Sequence, residues 1–149
     1  MKVFTSRPIE LKKDINSIYS MVSSPAHLAP IAEKFKDYIG EYQLELGETE
    51  LSFSVPALGQ IVLEQTEVIA PNMVKYGTKK SPIPLSVLLN LSKNTEETTL
   101  GQISVEVDVP PFLSGMVKKK IEPALDKVSN VLEQIDFDRL VKGTSLEGK

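Results

Sequence analysis

Between Gly40 and Val109 the apolar side chains fall mostly on every second residue. Tyr42, Leu44 and Leu46 alternate with Gln43 and Glu45, and Leu51, Phe53 and Val55 alternate with Ser52 and Ser54. Leu85, Val87, Leu89 and Leu91 alternate with Ser86, Leu88 and Asn90. Ile103, Val105, Val107 and Val109 alternate with Gln102, Ser104, Glu106 and Asp108, the cleanest run in the chain. Period-two spacing sends successive side chains to opposite faces, so these stretches predict strands with one apolar and one polar face. Gln60–Ile69 and Met73–Lys79 read as two further strands. Gly47-Glu48, Pro56–Gly59, Ala70-Pro71-Asn72, Lys80-Ser81-Pro82 and Asn94–Glu97 supply turn chemistry between them. The links are about two to five residues, whereas parallel neighbours need crossovers of about a dozen or more. The middle of the chain is therefore expected to be an antiparallel meander.

The flanks read differently. Lys2 to Lys12 predicts one strand, with Val3, Ile9 and Leu11 at odd positions and Phe4 breaking the pattern. Asp14 is a suitable N-cap for a helix whose apolar stripe is Ile15, Ile18, Tyr19 and Val22. Ser23-Ser24-Pro25 stops and restarts the chain, with Ser24 as cap and Pro25 at the first helical position. Leu28, Ile31, Ala32 and Phe35 give a second short helix its buried face. After Pro110-Pro111, a stripe of Phe112, Leu113, Met116, Val117, Ile121, Leu125, Val128, Val131, Leu132 and Ile135 predicts a long final helix. Pro123 lies inside it and cannot donate to the Lys119 carbonyl, which predicts a kink or a break there.

An apolar sheet face and an apolar helix stripe each need cover, and each can cover the other. The order of elements thus predicts an α+β fold: a curved antiparallel sheet of about six to seven strands around a long C-terminal helix, with two short helices after the first strand. A coiled sheet and a helix do not meet flush along their whole length, so a cavity is expected between them. One domain spanning 1–136 is expected, followed by a tail, 137–149, that is small and polar from Val141 onward and expected to fray.

Composition narrows the chemistry. The 149 residues include no cysteine, no tryptophan and a single histidine, His27. Disulfides, thiolate catalysis, cysteine-ligated zinc and imidazole-rich metal sites are thereby excluded. The formal net charge of −3 disfavours a nucleic-acid partner, which selects for a positive field. No run approaches the roughly 18 apolar residues that would span a bilayer, and Thr5, Ser6 and Arg7 follow the first residues at once, leaving no room for a secretory apolar core. A cytoplasmic protein without stable membrane insertion is expected; its oligomeric state cannot be read from these features.

The chain resembles the helix-grip superfamily of START-type lipid-transfer domains, birch-pollen-allergen proteins and bacterial polyketide cyclase-like proteins, collectively SRPBCC. The resemblance covers roughly Lys2 to Ile135. It rests on the element order, on Ser23-Ser24-Pro25-Ala26-His27-Leu28, on Val55-Pro56-Ala57-Leu58-Gly59-Gln60-Ile61, on Ser81-Pro82-Ile83-Pro84 and on the Pro-interrupted last helix. It implies a central cavity for a lipid-like or polyketide-like molecule, and implies a reaction only weakly.

Three functional readings follow. The leading one is a binding or carrier protein for a hydrophobic small molecule, without a cofactor or metal. Its expected cavity lining is Leu51, Phe53, Val74, Tyr76, Leu85, Val87, Leu89, Ile103, Val105, Met116 and Leu125. The second is a polyketide cyclase or dehydratase, for which the Tyr76 hydroxyl is the best candidate group and His27 at the rim the next. The third is a protein-interaction module with a filled core. No catalytic constellation is assigned. His27 reads as a surface or capping residue. Glu64, Glu67, Glu106 and Asp108 could pair as acid and base, but the parity of Glu106 and Asp108 turns both to solvent. Asn90 and Gln102 share that outward parity. Lys118-Lys119-Lys120, close to Phe112 and Leu113, could meet an anionic membrane, although three lysines read more simply as a solvated helix face.

Overall fold

In a computed structural model the described residues are 2–137. Eight antiparallel strands form one sheet: β1 (Lys2–Thr5), β2 (Ile9–Leu11), β3 (Glu45–Leu46), β4 (Glu50–Val55), β5 (Gly59–Ile69), β6 (Met73–Lys80), β7 (Leu85–Lys93) and β8 (Thr99–Val107). The spatial order is β1-β8-β7-β6-β5-β4-β3, with β2 also pairing β8. The meander therefore runs β3 to β8 through neighbouring hairpins, and the chain's first strands close on its last.

One expected strand becomes two. The run from Lys2 to Lys12 is interrupted at Ser6-Arg7-Pro8, and both halves pair with β8. Pro8 has no amide to give a ladder, and a break is the usual result. This makes eight strands where about six to seven were expected, and it places the short helices after two strands. A second correction lies at Gly40–Tyr42, which forms a 3₁₀ turn; the strand expected over Tyr42–Leu46 shrinks to the two residues of β3. Gln43 sits there at φ 47°, a left-handed conformation that ends the turn and cannot belong to a strand.

The helices are α1 (Ile15–Val22), α2 (Ala29–Lys34), α3 (Lys36–Ile39) and α4 (Ser114–Gln134), with a 3₁₀ turn over Pro25–Leu28. Asp14 caps α1 as expected: its carboxylate accepts from Ser17 N–H at 3.1 Å and Ser17 Oγ at 2.7 Å. Pro25 opens the next turn, but Ser24 makes no side-chain cap; its hydroxyl donates instead to the Glu48 carbonyl at 2.9 Å. The helix α4 continues through Pro123 without a break. Of the expected tail, Phe137 is buried at 2% exposure and joins the core; the rest of it lies outside the described residues.

Register sets the inner face. Across β7 and β8, Leu85 faces Val107, Val87 faces Val105, Leu89 faces Ile103 and Leu91 faces Gly101. Tyr76 faces Val87 and Val74 faces Leu89 across β6 and β7. Two register shifts in the β5–β6 ladder, at Val62/Leu63 and at Gln65/Glu67, add local bend and twist where the sheet must coil. The turn between β4 and β5 holds Ala57 at φ 73° and Gly59 at φ 103°, and only the second carries a residue without Cβ, which adopts positive φ freely.

Candidate functional site

The buried residues separate into two clusters. The larger gathers Ile9, Leu11, Ile18, Val22, Ile31, Val55, Ile61, Leu63, Val74, Tyr76, Leu91, Val131, Ile135 and Phe137. The smaller is Val105, Val107, Val117 and Leu125. Leu58, Leu85, Val87 and Ile103 pack against both, yet each keeps part of its surface exposed. Three of these four belong to paired strands in the interior of the sheet, on the same face as fully buried Val74 (0%) and Val107 (1%). These side chains project from the inner face of the sheet, the face that the helices cover. The helix α4 approaches β1 and β2 most closely, while α1 lies over β7.

The expected lining residues distribute accordingly. Val74 and Tyr76 are members of the larger cluster, and Leu51, Phe53, Leu85, Val87, Leu89 and Ile103 are half-buried against it. Val105 and Leu125 lie in the smaller cluster. Met116 belongs to neither cluster and is 37% exposed.

One polar group is set into this apolar wall. Tyr76 is 8% exposed, and burial raises its phenol pKa above the ordinary 10.0, with a smaller opposing effect from the Gln65 hydrogen bond. Gln65 faces Tyr76 across β5 and β6. Its Nε2 donates to the Ser23 carbonyl at 2.6 Å and to the Tyr76 hydroxyl at 3.5 Å. The sequence reading passed over Gln65, although it continues the parity of Ile61 and Leu63, which was the available signal.

The other candidate groups lie elsewhere. His27 is exposed, and its Nδ1 donates to the Ser20 carbonyl at 3.1 Å, tying the Pro25–Leu28 turn to α1. Glu64, Glu67 and Asp108 are exposed, and Glu106 alternates with buried Val105 and Val107. Asn90 and Gln102 face each other on the outer side, where Gln102 Nε2 donates to the Ser6 carbonyl at 2.9 Å. Lys118 and Lys119 are exposed on α4. A separate depression of ≈ 310 Å³ is lined by Lys12, Lys13, Asp14, Glu96, Glu97 and Thr98. Among the described residues no group of three or more histidines and carboxylates could hold a metal ion, and no helix is long and apolar enough to cross a membrane.

No protein-family model matches the chain, and neither does any curated protein sequence. Solved structures do match in shape. A START superfamily protein from Mycobacterium smegmatis has a TM-score of 0.64 at 14% identity, covering 88% of this chain and 94% of that one. Norcoclaurine synthase from Thalictrum flavum, in complex with dopamine and hydroxybenzaldehyde, has a TM-score of 0.66 at 15% identity, covering 92% and 87%. A conserved protein from Geobacillus kaustophilus has a TM-score of 0.51 at 20% identity, covering 88% and 95%. At these identities the likeness is one of architecture. The likeness extends over nearly the whole chain, whose curved antiparallel sheet and long C-terminal helix thus have a helix-grip fold like that of the START superfamily protein.

Proposed function

We propose that this protein binds or carries a hydrophobic small molecule between the inner face of its sheet and α4. The carrying observation is the divided core: Leu85, Val87 and Ile103 bridge two buried clusters while keeping surface of their own exposed. Apolar surface held away from water by protein, yet not filled by it, gains free energy from an apolar guest at about 25 cal/mol per Å² removed from water. The proposed lining is Leu51, Phe53, Val74, Tyr76, Leu85, Val87, Leu89, Ile103, Val105 and Leu125, with Met116 at the rim. A protein of the same fold forms a complex with two aromatic small molecules, dopamine and hydroxybenzaldehyde, which supports a guest of lipid-like or polyketide-like character.

Binding without a reaction is favoured over a cyclase-like activity because Glu64, Glu67 and Asp108 are solvent-exposed and His27 is engaged at the surface. The net charge of −3 likewise supports a partner other than nucleic acid. The test is native mass spectrometry of protein purified from its own host, followed by solvent extraction. A retained lipophilic molecule in stoichiometric amount is the expected result. An interior that takes up no apolar molecule, either from the host or from added probes, would overturn the reading.

A further inference from the structure

Resting on that binding reading, we infer that the ligand carries an alcohol or phenol hydroxyl, received jointly by Tyr76 and Gln65. The orientation of the Gln65 amide is fixed from outside the pair. Its Nε2 donates to Ser23 O at 2.6 Å, and Ser23 is itself held as the C-cap of α1 by its N–H to Tyr19 O at 2.9 Å. Only the nitrogen end of the amide can face a carbonyl, so Oε1 is turned the other way. The second Nε2 hydrogen goes to the Tyr76 oxygen, 3.5 Å away. Both amide hydrogens are then used, and the Tyr76 oxygen is an acceptor in this contact.

Two capacities remain. The Tyr76 O–H hydrogen has no acceptor, and Gln65 Oε1 no donor, among the described residues. They belong to side chains directly opposite each other in the ladder. Tyr76 is more than nine-tenths buried and belongs to the same apolar cluster as Leu63, Val74 and Leu91. A buried hydroxyl hydrogen without an acceptor carries a desolvation penalty that a guest can relieve.

A donor beside an acceptor in an otherwise apolar wall matches one ligand group well. A hydroxyl offers a lone pair to Tyr76 and a hydrogen to Gln65 Oε1. A ketone or ester would satisfy Tyr76 alone. A carboxylate would set a negative oxygen against Gln65 Oε1, and an ammonium would bring an unpaired charge into the wall. The ligand is thus a hydrophobic body with a neutral hydroxyl at the end lying near the C-terminus of α1.

Fluorescence titration with 2-naphthol and 2-methylnaphthalene separates the possibilities, since the two differ only by hydroxyl against methyl. The wild-type protein is expected to bind 2-naphthol about five- to tenfold more tightly, against the order of hydrophobicity, as one net hydrogen bond would give. Tyr76→Phe and Gln65→Met, each checked for native circular dichroism, should lose that preference, the ratio of the two affinities falling to about one or below; either variant alone suffices if the other fails to fold. Equal binding of both probes by the wild type, or a preference that survives in the folded variants, overturns the hydroxyl assignment and leaves the cavity reading standing. If neither probe binds the wild type, the cavity reading falls and the assignment falls with it.

Discussion

Ile103 and Ser6 exchange two hydrogen bonds: Ser6 N–H reaches the Ile103 carbonyl at 2.8 Å, and the Ile103 N–H is accepted by Ser6 Oγ at 3.0 Å. A side chain thereby continues a ladder that the backbone abandons between β1 and β2. Ser6 is 6% exposed, so little water is at hand to replace it. Ser6→Ala should lower the unfolding free energy by about 1–3 kcal/mol, the cost of leaving a buried amide unpaired. Urea unfolding checks this, with Ser6→Thr expected to retain most of the stability. An unchanged midpoint for the alanine variant would refute the role given to the hydroxyl.

Gly101 lies beneath Leu11. A Cβ built at Gly101 comes 3.0 Å from Leu11 Cδ1 and 3.6 Å from Leu91 Cδ2. Leu11 and Leu91 are 2% and 3% exposed, so neither can move outward. Gly101→Ala is expected to destabilise by about 1–3 kcal/mol, as overpacking does, and thermal unfolding should fall by a few degrees per kcal/mol, roughly 2–4 °C in a chain of this size. A variant as stable as wild type would show that β2 is not seated as tightly as the contact implies.

Val87→Phe tests whether the interior is open. Added volume in a filled core costs about 1–3 kcal/mol. At the seam between the two clusters the larger ring should instead occupy vacant space, leaving stability within about 0.5 kcal/mol of wild type while abolishing 2-naphthol binding. Loss of stability together with unaltered probe binding would place the guest somewhere else.

Asp14 confers a pH dependence of known sign. The Ser17 hydroxyl, and after it the Ser17 amide, stabilise the ionised carboxylate and hold its pKa below the usual 3.8. A group depressed in the folded state adds stability above its unfolded pKa, and that contribution is lost as pH falls through the folded value. Asp14→Ala should therefore cost about 1 kcal/mol at neutral pH, typical of a lost N-cap. The gap to wild type should narrow as pH falls below the ordinary carboxylate range and through the depressed value of the folded protein. Paired urea titrations measure it; a constant gap would mean that the ionised form contributes nothing.

Much of the architecture was legible because period-two alternation marks a sheet with one buried face. The alternation from Ile103 to Val107 and the Asp14 cap are where local pattern and tertiary structure agree, although the strand stops at Val107, short of the expected Val109. The interruption at Ser6-Arg7-Pro8 was harder to see, because Val3, Ile9 and Leu11 preserve an apparent alternation across it. The strand expected over Tyr42–Leu46 failed for a related reason: the left-handed Gln43 is a backbone choice that its neighbours' hydropathy does not reveal. The apolar residues of the inner face could be listed by parity, but how closely α4 packs on them is a matter of tertiary distance, which no periodicity encodes. Gln65 shares the inward parity of Ile61 and Leu63, and a polar side chain at such a position is the signal that marks it.

The broken first strand has a bearing on solution behaviour. Sheet margins with free amides and carbonyls invite other chains to add on. Here one margin is divided into pieces of four and three residues around a proline, and the other is a strand of just two residues. Neither terminal strand is itself a long template for intermolecular pairing, which limits fibril-like growth at those two borders.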